Sequence, residues 1–381
     1  MRNMKVLQTI SGMSSAAGGP STAVRDLLDG LYAQGAHVDL LTTECPGESC
    51  LAQGRPWLTK VPRDYKGPLE YSCNMRLALE ASDYDIYHAH ALWRYVNHAT
   101  CRISRSKGRP YVISPHGMLY PSALRIKPWR KKIMLALWFR RDILQASCLH
   151  VTSMPELEHC RTFGYKGPIA LIPNPVIVPA KLPLVNKNGE YIIGYLGRLH
   201  PIKKIENLLQ GAALALQKGC RSFKIHLMGK GDQKYEAFLR KEMESLGLES
   251  VVEFLGFTEG ADKYKRLGAL SALILPSEQE NFGMVVPEAL LCGTPVYASL
   301  GTPWQELNTY GCGWWLDNRP ETIAITIQEI FELPQDVLQR MGEKGQALVK
   351  ERYEQQKVAC MMLRLYAWLC GHGDKPDFVY G

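Results

Sequence analysis

Two segments of this chain start in the same way. Apolar runs at Lys5–Ile10 and Tyr191–Leu196 each end in a glycine-bearing loop, Gly12–Gly19 and Gly197–Lys204, and each loop leads into a helical stretch. After the first loop, Pro20-Ser21-Thr22 opens a helix through about Ala33, with proline early in the first turn, where its missing N–H costs little. Gly35 stops that helix, Ala36–Thr42 is the next strand, and β-rich runs follow at Ile86–His90, Tyr111–Ser114 and Cys148–Thr152. After the second loop, strands at Phe223–Met228, Val251–Leu255, Ala272–Leu275 and Val296–Ala298 alternate with helices near Ile205–Gln217, Gln233–Leu246, Lys263–Leu267 and Val285–Cys292. Helices near Thr322–Glu332, Gln335–Glu351 and Glu354–Leu369 close the pattern. Strands separated by helices pair in parallel, because each return crosses a helix over the sheet. The pattern predicts an α/β chain of two Rossmann-like doubly wound domains, 1–178 and 191–353. Pro179–Glu190, with its prolines and no apolar period, reads as the linker between them, and 354–381 as a helix and tail packing back on the first domain. Ligands are expected at the carboxyl ends of the strands, facing a central cleft.

Composition narrows the class. The 381 residues suit two domains, and 46% hydrophobic with 22% charged residues excludes a disordered or collagenous chain. Apolar runs such as Ser271–Pro276 fall far short of the ~18 residues that cross a bilayer. Met4–Ile10, interrupted by Gln8 and Thr9, reads as a strand and not as a secretory segment. Eleven scattered cysteines without a CxxC pair point to mostly buried free thiols and a cytoplasmic protein. The net charge of +8 is uneven: residues 1–185 hold 23 Lys and Arg against 13 Asp and Glu, a net of +10, so the remainder carries −2.

The strongest local pattern runs from Pro276 to Val296. A buried strand ends at Pro276, a polar loop follows, and a helix starts near Gly283 and stops at Gly293. Glu280 then lies at the helix mouth and Glu288 more than one turn inside. The free amides of Phe282, Gly283, Met284 and Val285 would form an anion site, and acids beside such a site suit sugar hydroxyls better than phosphate. A capping acid and a surface acid fit the same spacing. At the end of the strand Tyr191–Leu196, Arg198 and Lys203 project from a strand–helix loop, where a doubly wound sheet binds phosphate. Two cations there would hold a diphosphate and stabilise its charge as it leaves; a solvated basic loop is the alternative. Met228-Gly229-Lys230-Gly231-Asp232 is a third glycine turn, weak by itself.

In this order and across most of the chain, the Glu280–Glu288 spacing, Gly197-Arg198-Leu199 with Lys203, and the Gly229–Gly231 turn resemble the retaining GT-B glycosyltransferases of family four. Gly18-Gly19-Pro20, His88-Ala89-His90, Ser114–Leu119 and Ile172-Pro173-Asn174 are further matches. The variants Pro115–Leu119 and Gly301–Trp304 look most like bacterial, notably cyanobacterial, enzymes of exopolysaccharide and envelope polysaccharide assembly. Lys204, where the family often has glycine, and Asn174-Pro175, where Asn-Gly is common, are departures; Lys203 is favoured over Lys204 as the phosphate ligand.

The resemblance implies roles. Arg198 and Lys203 would bind the donor diphosphate and Glu288 the ribose. Glu280, with the amides near Phe282–Met284, would meet the transferred sugar. His116 would sit at the sugar's far edge or reacting face, and Gly19 would let its loop approach the diphosphate. Backbone near Gly256-Phe257 would meet the base. It further implies a metal-independent enzyme with no cofactor, UDP-glucose as the leading donor, and a saccharide or polyprenyl-linked acceptor. A nucleotide-sugar epimerase of the same fold, or a non-catalytic nucleotide-sugar-binding module, remain alternatives. An NAD enzyme is disfavoured because neither first strand–helix turn spells GxGxxG.

Three further features invite other readings. Asp83-Tyr84-Asp85 is formally a DxD metal motif, but it precedes a strand and falls at its amino end. His88 and His90 share one side of a strand with no third metal ligand nearby, as cleft-lining or core histidines would. Arg125–Arg141 carries seven basic residues interleaved with Trp129, Ile133, Leu137 and Trp138. Such a helix fits the anionic inner face of a membrane, or a core helix with a solvated basic side. Nucleic acid is disfavoured, because the aromatics are not spread over a sheet.

Overall fold

The structure, a computed structural model, describes residues 4–14, 19–44, 47, 49–64, 67, 69–179, 191–220 and 223–381. The chain divides into two compact units, Met1–Ile177 with Glu354–Gly381, and Val178–Tyr353. In the first, the strands are β1 (Lys5–Ile10), β2 (His37–Thr43), β3 (Leu58–Val61), β4 (Ile86–His90), β5 (Tyr111–Ser114), β6 (Cys148–Val151) and β7 (Ile169–Leu171). In the second they are β8 (Tyr191–Leu196), β9 (Phe223–Met228), β10 (Val252–Gly256), β11 (Ala272–Leu275), β12 (Val296–Ser299) and β13 (Gly313–Leu316). β14 (Val379–Tyr380) returns to the first unit.

The sheet orders are β14-β7-β6-β5-β4-β1-β2-β3 and β10-β9-β8-β11-β12-β13. Every neighbouring pair is parallel except β14 on β7. Each sheet reverses direction of growth once, between β1 and β4 and between β8 and β11. Such switch points are where doubly wound sheets leave a crevice for ligands. Strands covered by helices on both faces are buried throughout, as in β6, β11 and β12. Gln8 and Thr9 on β1 and His88 and His90 on β4 are polar side chains buried beside the first switch point.

The C-terminal helix Gln355–Leu369 belongs to the first unit. Its Val358, Ala359, Met362, Leu365 and Tyr366 share a core with Val24, Leu27, Leu28 and Leu31 of the helix Gly19–Ala33. A Cβ on Gly30 would stand 2.9 Å from Gln355 Cγ and 3.1 Å from Ala359 Cβ, so the close crossing of the two helices requires glycine there.

Several elements differ from the sequence reading. The helix expected near Lys263–Leu267 runs Gly260–Ala269, and the short strands β3, β7, β13 and β14 are absent from the sequence reading. The segment Arg125–Arg141 is not one helix: short helices Pro121–Arg125 and Pro128–Met134 are followed by a π-helical turn Leu135–Phe139 and a helix Arg140–Leu144. Lys127, left-handed at φ 50°, and Pro128 make the break. Gly18 and the proposed linker, apart from Pro179, lie outside the described residues. Ten described cysteines are free; Cys101, Cys148, Cys160, Cys220 and Cys312 are buried and Cys360 is exposed.

Candidate active site

In the second unit the loop after β8 is braced by the glycine turn after β9. The amides of Gly197 and Leu199 donate to the carbonyls of Met228 and Lys230 at 3.0 and 3.1 Å, and Asp232 N donates back to Leu199 O at 3.1 Å. Side chains at 229 and 231 would put Cβ atoms 1.8 Å from Gly197 O and 2.0 Å from Leu199 O. The two glycines are therefore there so that the loop carrying Arg198 can lie directly on this turn. Arg198 is exposed and, among the described residues, makes no ion pair. Lys203 ends a short 3₁₀ turn, Pro201–Lys203, and Lys204 takes φ 50° to start the helix Ile205–Gln217.

Glu280 stands in the loop after β11, on the other side of the switch point, and its carboxylate pairs with the Lys203 ammonium. Ser277 Oγ donates to the same carboxylate at 3.0 Å, and Glu280 N donates to Gly301 O at 2.9 Å. Lys204 turns elsewhere, to Glu278 at 3.5 Å and Glu206 at 4.0 Å. The helix that follows runs Val285–Leu291, in line with the helix expected near Val285–Cys292 and two residues later than the start near Gly283 read from the motif; Gly283 adopts φ 78° and cannot be its first residue. Glu288 therefore lies in the first helical turn, not beyond it. There it accepts a hydrogen bond from Lys263 Nζ at 2.7 Å. Phe282 turns its ring inward, packed on Trp304 at 5.3 Å and Tyr353 at 5.7 Å, and Trp304 Nε1 donates to Phe282 O at 2.5 Å. Only the backbone of Phe282 is left to serve a ligand. Met284 and Val285 are half-buried, while Phe257 follows Gly256 (φ 70°) with its ring 59% exposed. Among the described residues no side-chain hydrogen bond, ion pair or ring contact joins Phe257 to the other candidates.

In the first unit Gly19 opens its helix, and a Cβ there would meet nothing within 4 Å, so the fold itself does not demand glycine at 19. His116 follows β5 in a left-handed conformation, φ 52°. Its turn is pinned by the buried Glu156, which accepts from Gly117 N at 2.6 Å and Thr152 N at 2.9 Å. The His116 ring stacks on His90 at 5.5 Å, and His90 stacks on His88 at 4.1 Å. His150 lies across β5 from them, and His90, His116, His150 and Asn174 line a cavity of about 10 Å³. Burial is the main force on these bases: it pushes His116 down to about 3 and His150 to about 4, with the His150 imidazole adding to the effect on His116. His88 and His90 are pushed well below the usual imidazole range by the same burial and then by the other histidines. All four are neutral near pH 7.

The structure thus joins Lys203 to Glu280 and His116 to His90, and gives Glu288 a partner that no motif announced, Lys263. Lys263 had no sequence signal beyond being one lysine on a polar helix. Tyr366, hydrogen-bonded to His88, is 278 positions away from it. Asp83 and Asp85 precede β4 at its amino end; both lie 3.7 Å from Arg109, and Asp85 also accepts from Lys5 N at 2.8 Å.

Comparison with known proteins agrees with this architecture. Residues 18–175 match the Glycosyl transferase 4-like domain and residues 181–348 the Glycosyl transferases group 1 domain. The chain belongs to the GT-B glycosyltransferases of family four. A GDP-mannose-dependent alpha-(1-6)-phosphatidylinositol dimannoside mannosyltransferase of Mycobacterium tuberculosis is 27% identical over 46% of this chain and 43% of its own. Phosphatidyl-myo-inositol mannosyltransferase of Mycobacterium leprae is 23% identical over 94% and 95%. Alignments with the first curated relatives span less than half the length of those proteins. Among solved structures, Anabaena HepE in complex with UDP and glucose superposes with a TM-score of 0.76 at 19% identity, covering 96% of this chain and all of that one.

Proposed function

We propose that the protein is a retaining hexosyltransferase that moves glucose from UDP-glucose to a saccharide or polyprenyl-linked acceptor in envelope polysaccharide assembly. The observation that carries this reading is the pairing of Lys203 with Glu280 across the second switch point, beside the exposed Arg198. One ligand with an anionic diphosphate and a hydroxylated sugar fits both charges. Arg198 and Lys203 would hold the diphosphate, Glu288 the ribose, and Glu280 with the backbone of Phe282, Gly283, Met284 and Val285 the sugar. The base would lie near Gly256-Phe257; His116 would contact the sugar and Gly19 the diphosphate. UDP as the nucleotide is supported by HepE, a protein of this fold crystallised with UDP and glucose.

In the reaction so proposed, the acceptor hydroxyl oxygen bonds to the anomeric carbon on the face from which UDP departs. The carbon–phosphate oxygen bond breaks, and the acceptor proton passes to the departing phosphate. The protein supplies fixed cations at the developing charge, and no metal is required.

Attachment to an anionic membrane surface is part of the proposal. It is supported by Ile126, Trp129, Ile133 and Leu137, which are 52–64% exposed among exposed basic residues. Among the described residues no helix is long and apolar enough to cross a membrane.

Incubation with UDP-glucose, UDP-galactose, UDP-N-acetylglucosamine and GDP-mannose, reading nucleoside diphosphate release and the sugar product, tests the reading. Slow release of UDP and glucose from UDP-glucose alone is expected. Release from GDP-mannose alone overturns the donor, an epimerised sugar still bound to nucleotide overturns the reaction type, and binding of every donor without release overturns the enzyme.

A further inference from the structure

The buried histidines of the first unit are linked in one continuous series of hydrogen bonds, and its direction can be deduced from one end. The carbonyl of Ile172 can only accept, so the His150 Nε2 that lies 2.9 Å from it carries the ring proton. His150 is neutral, which leaves Nδ1 bare, and Ser114 Oγ at 2.7 Å must donate its single proton there. Ser114 then accepts from His88 Nε2 at 2.7 Å, which makes Nδ1 of His88 bare. Tyr366, 2.6 Å from that Nδ1, donates its only proton to it. With that proton spent, the Tyr366 oxygen can only accept, and it does so from Gln8 Nε2 at 2.9 Å. The orientation of the Gln8 amide is thereby set: its Oε1 faces His90 Nε2 at 2.8 Å and receives that proton. His90 Nδ1 is bare in turn and accepts from His116 Nε2 at 3.2 Å.

We infer that this chain runs in one direction only, and that Tyr366, on the C-terminal helix, is the positioning residue through which it holds His116 as the Nε2–H tautomer with a bare Nδ1. The reverse arrangement of the near half fails at one atom. Flipping Gln8 would turn its Oε1 toward Tyr366 and require the phenol to donate twice, and it has one proton. Buried groups left without partners are costly, so the whole series takes the single satisfied direction. Each of Gln8, His88, His90 and Tyr366 is 1% exposed or less, so water does not compete for these bonds.

The consequence is chemical. With Nε2–H engaged by His90, the capacity His116 has left is a lone pair on Nδ1. That lone pair takes a hydroxyl as partner and has nothing to offer a phosphate oxygen. Resting on the proposed donor reading, His116 therefore accepts from a hydroxyl of the transferred sugar.

The test is long-range ¹H–¹⁵N correlation on the full chain with ¹⁵N-labelled histidine, near pH 7.5. All of His88, His90, His116 and His150 are expected as Nε2–H in the wild type. Tyr366→Phe removes the proton that fixes Gln8, so His90 and His116 are expected to become mixtures of two tautomers while His150, still bonded to Ile172 O, stays Nε2–H. Ser114→Ala is the second variant, should Tyr366→Phe fail to fold, and it too frees His90 and His116. A wild-type His116 protonated on Nδ1, or tautomers of His90 and His116 unmoved in a folded variant, overturns the inference. Donor hydrolysis by the same variants reads the proposed function separately: tautomers that change while hydrolysis does not would leave the chain standing and remove His116 from the reaction.

Discussion

Lys203 and Glu280 form an ion pair that joins the loop after β8 to the loop after β11, with side chains only 16% and 13% exposed. Part-burial makes such a pair worth more than a surface contact, whose median is about 0–1 kcal/mol. It also holds each group where a ligand at the switch point would meet it. On the proposed reading, a diphosphate arriving at Lys203 would compete with Glu280 for the ammonium, and a sugar hydroxyl would then find the carboxylate partly released.

If this is the diphosphate site, Arg198→Ala and Lys203→Ala should each lower donor turnover by about 10²–10³-fold, the scale of one lost electrostatic stabiliser. Lys204→Ala should cost no more than a few-fold, since its ammonium is taken up by Glu278 and Glu206. Steady-state rates with matched melting temperatures measure this. Equal losses at both lysines would show that the wrong one has been assigned.

The two glutamates should separate in calorimetry with UDP. Glu288→Ala should weaken UDP binding by roughly 10–100-fold, as for a lost hydrogen bond to a charged group of 1.5–3 kcal/mol. Lys263→Met should weaken it too, because Lys263 steadies that carboxylate. Glu280→Ala should bind UDP as well as wild type or slightly better, with Lys203 released from its partner, yet transfer poorly. The opposite order would exchange the two roles.

Much of this fold could be read from residue order. Two apolar runs with glycine loops gave both sheets their first strands, Glu280, Arg198 and Lys203 fall in strand–helix connections that local pattern reveals, and Glu288 falls in the helix that follows one of them. What could not be read depends on long-range packing. Gly229 and Gly231 formed only a weak motif, because their reason is the backbone of Gly197 and Leu199 pressed against them. Phe282 lay within a binding motif, yet its ring is buried beside Trp304 and Tyr353. The start of the helix carrying Glu288 depended on the φ of Gly283. The histidine series was visible as His88 and His90, but Tyr366, which links His88 to Gln8, comes from a helix nearly three hundred positions later.

Acid should destabilise the first unit in a definite window. The folded state keeps four imidazoles neutral, with His116 and His150 lowered to about 3 and 4 and His88 and His90 lowered as well. The unfolded chain takes up protons at about 6.5. Between about pH 6.5 and 4 the unfolded state therefore binds more protons, and stability falls as pH falls; above that window the contribution is fully present. Each buried histidine adds up to about 1.4 kcal/mol per pH unit. Melting temperatures from pH 8 to 5 should drop steeply below 6.5, with a shallower slope in His150→Gln. A flat profile would mean that these rings are hydrated in solution.

The membrane surface offers the last test. Trp129, at 61% exposure, and Leu137, at 62%, stand out from short helical pieces instead of entering the core. Exposed Arg125, Lys127, Arg130, Lys132 and Arg140 surround them. Lys131 differs from these: its ammonium bonds to Ala123 O and lies 5.5 Å from the Trp93 ring centre, and burial lowers its affinity for a proton. A cation at an anionic bilayer contributes about 1 kcal/mol, so four or five together suffice for reversible attachment, with the apolar side chains adding a contribution that salt does not screen. Wild type should co-sediment with phosphatidylserine vesicles at low salt and much less at about 1 M, where the Debye length is ~3 Å. Replacing Lys127, Arg130, Lys132 and Arg140 by Gln should abolish low-salt binding and leave donor hydrolysis unchanged. Trp129→Ser with Leu137→Ser should remove whatever binding survives at high salt. If wild type ignores anionic vesicles even at low salt, attachment is refuted, and the basic face of the first unit must be explained by the acceptor alone.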